Sequence, residues 1–198
     1  MLFSPFLSLF SFLALALPVS SSAIPNHHHR NRPTVYLLRH GEKPADRNNH
    51  ELTKDGYKRA ECLRTVFGED SPFDIGYILA PRVKKNGDHR RSYDTVHPLA
   101  KDLGLSVDTS CKRNHAKCVG KQIKRYDGEG DILVSWRHGR MTDIAERLGV
   151  EEPPEYPYHR YDLVWTIPYP YDKVTEVWSE ECPGLDEKGH SSPLKIQA

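Results

Sequence analysis

Along the chain, short apolar runs alternate with longer stretches whose apolar residues recur every three or four positions. Thr34–Leu38, Asp74–Ala80 and Asp131–Trp136 are runs rich in β-branched, aromatic and aliphatic residues, and Leu105–Thr109 is a shorter one. Each predicts a strand, the last of them buried on both faces at Asp131–Trp136. After the first run, Leu52, Ala60, Leu63 and Phe67 fall at helical spacing, with Thr53 placed to cap the start and Gly68 to end the helix. Ser92–Gly104 predicts a second helix despite Pro98, and His115–Tyr126 a third. Met141–Gly149 predicts a fourth, with Met141, Ile144, Ala145 and Leu148 as its apolar face. Alternation of strand and helix implies right-handed crossovers, hence an α/β three-layer sandwich: a mostly parallel sheet with helices on both faces. The tail departs from this rhythm. Asp162–Ile167 and Lys173–Ser179 flank the turn-rich PYPYD, which predicts a C-terminal hairpin at one edge of the sheet.

The two ends of the pattern narrow the picture. Leu2–Val19 is almost wholly apolar and is followed by small residues from Ser21 to Ala23, which reads as a secretory signal peptide over residues 1–23. A membrane anchor is the rival reading, but the length is marginal for a span and Pro5 and Pro18 interrupt it. Residues 24–33 are polar and proline-bounded, a disordered arm whose His27, His28 and His29 read as a solvated tail ahead of a metal site. Residues 34–198 then form one domain with a single substantial core. Four cysteines fit an oxidising route and imply two disulfides. Three pairings exist on paper. The favoured one joins Cys111 to Cys118 across a short polar loop and Cys62 to Cys182, tying the C-terminal segment to the first helix. No C-x-x-C pair occurs, which argues against zinc. The formal net charge of +1 gives no global basic excess, so nucleic acid is not the expected partner.

The chemistry lies where two of the apolar runs stop. Val35–Leu38 leads into Arg39, His40 and Gly41, and Ile132–Trp136 leads into Arg137, His138 and Gly139. In an open α/β sheet ligands sit beyond the carboxyl ends of the strands, so His40 and His138 can face one pocket. Gly41 and Gly139 there permit a sharp turn and leave backbone N–H groups accessible to an anion. Each histidine alone could merely bond a strand end; the pair in matched positions points to a site. The second strand runs into a basic stretch holding Arg82, Lys84, Lys85, His89, Arg90 and Arg91, and this stretch leads into a helix start. Helix N-termini and guanidinium groups both favour phosphate oxygens.

LLRHGEKP, RRSYDTVHPLAKDLGL and ILVSWRHGRMTDIAERLG together resemble the three successive signatures of the histidine phosphatase superfamily, in its phosphoglycerate-mutase-like branch. The chain looks most similar to small secreted members from filamentous fungi. The resemblance implies a phosphate pocket of two arginines and two histidines, Arg39, His40, Arg91 and His138, with His40 the nucleophile and no metal or cofactor. Arg91 fits the R-[AS]-x-x-T pattern, with Arg90 the alternative. Elementary chemistry agrees: a neutral His40 would attack phosphorus in line, while Arg39, Arg91 and a protonated His138 hold the transferring oxygens.

The sequence departs from the pattern at three points. The link from Ala80 to Arg91 is long, Arg137 and Arg140 flank His138, and the segment after Asp108 up to Tyr126 offers no acid. Arg137 and Arg140 read either as solvated charge or as ligands for a second phosphate. Glu42 and Glu129 are the remaining candidates for proton donor. Two functions follow: a secreted phosphomonoesterase acting on a small phosphorylated substrate, or a secreted protein that binds phosphate without turning it over.

Overall fold

The computed structural model describes residue 1 and residues 32–186. The expected signal peptide, and the arm apart from Arg32 and Pro33, lie outside the described residues.

Among the described residues, six strands and four α-helices follow the predicted order. They are β1 (Val35–Arg39), α1 (Lys54–Val66), β2 (Ile75–Leu79), α2 (Arg90–Asp102), β3 (Val107–Asp108), α3 (Ala116–Arg125), β4 (Asp131–Trp136), α4 (Met141–Leu148), β5 (Leu163–Ile167) and β6 (Glu176–Ser179). They form one sheet in the order β3-β2-β4-β1-β5-β6. β1, β2, β3 and β4 are mutually parallel, whereas β5 and β6 add antiparallel at the β1 edge. The fold is therefore the expected α/β sandwich with its edge hairpin. Among the described residues no helix is long and apolar enough to cross a membrane.

The pleat of β1 explains why helices cover both faces. Val35 and Leu37 pack on one side with Val119 and Ile123 of α3 and Ile144 and Leu148 of α4. Tyr36 and Leu38 pack on the other with Leu63 of α1 and Val96 and Leu99 of α2. Successive strand residues point to opposite faces, so a run apolar at every position needs two covering layers. The chain builds outward through β2 to β3 and then returns, inserting β4 between β2 and β1. Crossovers of one hand made in opposite directions put α1 and α2 on one face and α3 on the other, where α4 packs beside it.

Several element ends differ from the sequence expectation. β3 shortens to two residues because it pairs on one side only, with β2. α2 starts at Arg90, two residues early, after His89 in the left-handed region at φ 73°, and it continues past Pro98. Thr53 caps α1 as expected, its Oγ1 accepting from Gly56 N–H at 3.1 Å. Gly68 lies just beyond Phe67, where a side chain would meet the Arg64 carbonyl oxygen at 2.0 Å.

Both favoured disulfides are present, Cys62–Cys182 and Cys111–Cys118. Beside the first, Arg59 of α1 is buried among three carboxylates: Glu42 at 2.6 Å, Glu180 at 2.7 Å and Asp186 at 2.8 Å. This cluster and the neighbouring bridge fasten the segment after β6 to α1.

Candidate active site

Strand register sets the starting geometry. Arg39 pairs with Trp136 across β1 and β4, and His40 N–H donates to the Trp136 carbonyl at 2.9 Å. The two R-H-G tripeptides therefore leave the sheet side by side. The carboxyl ends of β1 to β4 share one edge because the strands are parallel, and the loops leaving them converge there. A cavity of about 120 Å³ lies at that edge. It is lined by Arg47 and His50 after β1, by Asp88, His89 and Arg91 after β2, by Arg113 after β3 and by Arg137 after β4, with His40 in its wall.

His40 is buried, and its Nδ1 lies 2.8 Å from the Gly41 carbonyl oxygen. A carbonyl only accepts, so Nδ1 carries the proton and Nε2 keeps its lone pair. Burial first, and then the charges of Arg39 and Arg91 and the nearness of His138, hold the imidazole down to about 3. It is neutral throughout the ordinary pH range.

Gly41 has a different role from the one its position suggests. Its N–H is not free for an anion, because it donates to Thr95 Oγ1 at 2.9 Å, and that hydroxyl donates onward to the Arg91 carbonyl at 2.7 Å. A side chain at residue 41 would come within 2.9 Å of the Gly56 carbonyl oxygen. Gly41 thus lets the loop press against α1 and α2 and aims the His40 ring, instead of binding substrate.

Arg39 is fully buried. Its Nη1 donates to the Tyr158 and Arg160 carbonyls, both at 2.6 Å, and its Cζ lies 3.7 Å from the Tyr161 ring centre. Its Nε and Nη2 have no hydrogen-bond partner among the described residues. Burial lowers its affinity for its proton, with the nearby tyrosines opposing. His138 is half-buried under the edge of the Tyr158 ring, at 5.4 Å between centres, and its Nδ1 likewise has no partner among the described residues. Burial, then Arg39, Arg137 and Lys43, push it down to about 4. Burial and the surrounding positive charge thus both disfavour a proton on His138. Arg39 and His138 stand beside the cavity, not in its lining.

The basic segment divides. Arg91 lines the cavity and spends two donors on backbone carbonyls, Nε on Glu51 at 2.9 Å and Nη2 on Asn49. Arg90 faces elsewhere, bound through Nε to Asp94 at 2.7 Å. Arg137 lines the cavity, whereas Arg140 is paired with Asp143 at 2.5 Å and does not. Arg47, His50 and Arg113 were not singled out from the sequence. Arg113 had one available signal, its place just after a strand end within the loop that Cys111 and Cys118 close.

Both carboxylates considered as proton donors are displaced from that role. Glu42 is gripped by Arg59, with Nε at 3.1 Å and Nη2 at 2.6 Å from Oε1. Glu129 precedes β4 and so lies at the opposite end of a six-residue strand, about 20 Å from the carboxyl ends. The grouping of Glu180, Cys182 and Asp186 is no cation site either, since Cys182 is in a disulfide and Arg59 takes both carboxylates.

No family model and no curated protein sequence matches the chain. Among solved structures, the same fold occurs in SixA of Agrobacterium tumefaciens, at a TM-score of 0.51 and 15% identity over 75% of this chain and 98% of that one. It occurs again in the protein histidine phosphatase SixA complexed with tungstate, at a TM-score of 0.52 and 14% identity over 74% of this chain and 97% of that one. The chain thus has the fold of these histidine phosphatases.

Proposed function

We propose that the protein is a phosphomonoesterase working through a phosphohistidine on His40, exported after loss of residues 1–23 and akin to small secreted fungal phosphatases. One observation carries this reading. A buried imidazole whose Nδ1–H is committed to a carbonyl presents a neutral Nε2 beside a cavity lined by arginines. Such a nitrogen is a nucleophile at ordinary pH, and the guanidinium groups favour the anion it would attack.

In the first step the Nε2 lone pair attacks phosphorus while the bond to the leaving oxygen breaks. Arg91, with Arg39 and His138 alongside, offsets the charge on the phosphoryl oxygens. A bound dianion would also return a proton to His138, since it opposes the positive field that removes it. Water then attacks the phosphohistidine and releases phosphate. That a protein of the same fold was solved in complex with tungstate is consistent with an oxyanion ligand.

The test is a rapid quench that avoids acid, followed by peptide mapping. One acid-labile phosphoryl group should appear on His40, and His40→Ala should abolish both it and turnover. Glu42 and Glu129 being unavailable favours a second reading, a phosphate-binding protein without turnover. That reading takes over if phosphate binds but no ester is cleaved and no phosphoenzyme forms.

A further inference from the structure

We infer that His50 is the proton donor to the leaving oxygen, held in place by Asp88 and Arg91; this rests on the phosphatase reading above. Several titratable groups line the cavity with His40. The arginines do not give up protons at ordinary pH. Asp88 is held ionised, down to about 2, first by its bond to Lys84 at 2.8 Å and then by Asn86. His89 is disfavoured as a proton carrier by burial first and by Arg113 and Lys84, against a backbone hydrogen bond with Arg82 and the charge of Asp88. His50 remains, and it is the histidine in direct contact with that carboxylate: its Nδ1 lies 3.1 Å from Asp88 Oδ1.

Positioning is the second line of support. Arg91 binds the carbonyls of Asn49 and Glu51, the two residues that flank His50, so the guanidinium that lines the phosphate cavity also fixes the backbone on which His50 stands. Asp88 takes Nδ1 and leaves Nε2, on the far edge of the ring, for the cavity that His50 lines. The imidazole oriented by a carboxylate is the part this arrangement shares with catalytic triads.

The Nε2 lone pair of His40 forms the P–N bond. The P–O bond to the alcohol breaks with its electron pair on oxygen, and the Nε2 proton of a charged His50 moves to that oxygen. Neutral His50 then accepts a proton from the water that attacks phosphorus. The P–N pair returns to His40 and His50 regains its charge. Asp88 stays a carboxylate throughout and stabilises the charged ring.

Leaving-group dependence tests this. A dinitrophenolate leaves without a proton, whereas an alkoxide does not. In His50→Gln, the ratio of kcat/KM for 2,4-dinitrophenyl phosphate to that for an alkyl phosphate should rise on the order of 100-fold over the unsubstituted protein. Asp88→Asn should move the same ratio in the same direction by less, and it reads the proposal should His50→Gln fold poorly. An unchanged ratio in both variants, whether or not overall activity falls, overturns the role of His50 while leaving the phosphatase reading intact. Absence of turnover of either ester by the unsubstituted protein overturns the phosphatase reading itself, and the donor role with it.

Discussion

His40 and His138 sit where a proton is disfavoured, by burial first and by the surrounding arginines after it. Both folded-state values, about 3 and about 4, lie below the 6.5 of an unperturbed histidine. As pH falls below 6.5 the unfolded chain binds protons that the folded protein refuses, so stability is complete above 6.5 and is lost as pH falls toward those values. The melting temperature should therefore decline between neutral pH and about pH 4, and His40→Gln should flatten that decline. Saturating phosphate, bound as proposed, should flatten it too, because a bound anion would restore a proton to His138. Scanning calorimetry across this range checks both; an identical slope in His40→Gln would show that His40 is not held neutral by its surroundings.

At the scale of elements, the fastening of the C-terminal segment to α1 is a matter of charge and covalent linkage together. Arg59 is surrounded by Glu42, Glu180 and Asp186, and burial pushes Glu180 up to about 8 against the opposing pull of Arg59. Arg59→Met, which strands buried carboxylates, should cost about 3–5 kcal/mol in urea unfolding. Glu180→Gln keeps an acceptor for Arg59 Nη1 and should stay within about 1 kcal/mol. The Cys62–Cys182 bridge closes a separation of 120 residues and Cys111–Cys118 one of 7. Replacing the first pair with alanine should cost up to about 5 kcal/mol and the second distinctly less, since loop-closure entropy grows with loop length. The short bridge acts elsewhere: it holds the loop that brings Arg113 to the cavity.

Over the whole molecule, 28 basic and 27 acidic residues nearly cancel, yet four arginines and a single carboxylate line the cavity beside His40 among the described residues. Charge is concentrated by the fold, not by composition. Phosphate or vanadate should raise the melting temperature by mass action, less so at high salt. Arg91→Ala and Arg113→Ala should each weaken that shift severalfold, whereas Arg90→Ala, which removes a group bound to Asp94, should leave it intact. A full shift retained in Arg113→Ala would remove that residue from the anion site.

The strands, helices, edge hairpin and favoured cysteine pairing were legible in the chain because each rests on local periodicity, turn chemistry or loop closure. The duplicated R-H-G, ending two apolar runs, was enough to place His40 and His138 at the carboxyl ends of strands; that the two strands are neighbours came from the sheet order. Tertiary structure alone decided the rest. Glu42 reads as an acid next to His40 until Arg59, distant by 17 residues, is found holding it. Gly41 reads as an anion binder until Thr95 takes its N–H. Arg47, His50 and Arg113 belong to loops without periodicity, and they meet only because four parallel strands end at one edge. Hydrophobic pattern is written in neighbouring residues and can be read from them. Hydrogen-bond partners and local electric fields depend on distances that the folded chain alone establishes.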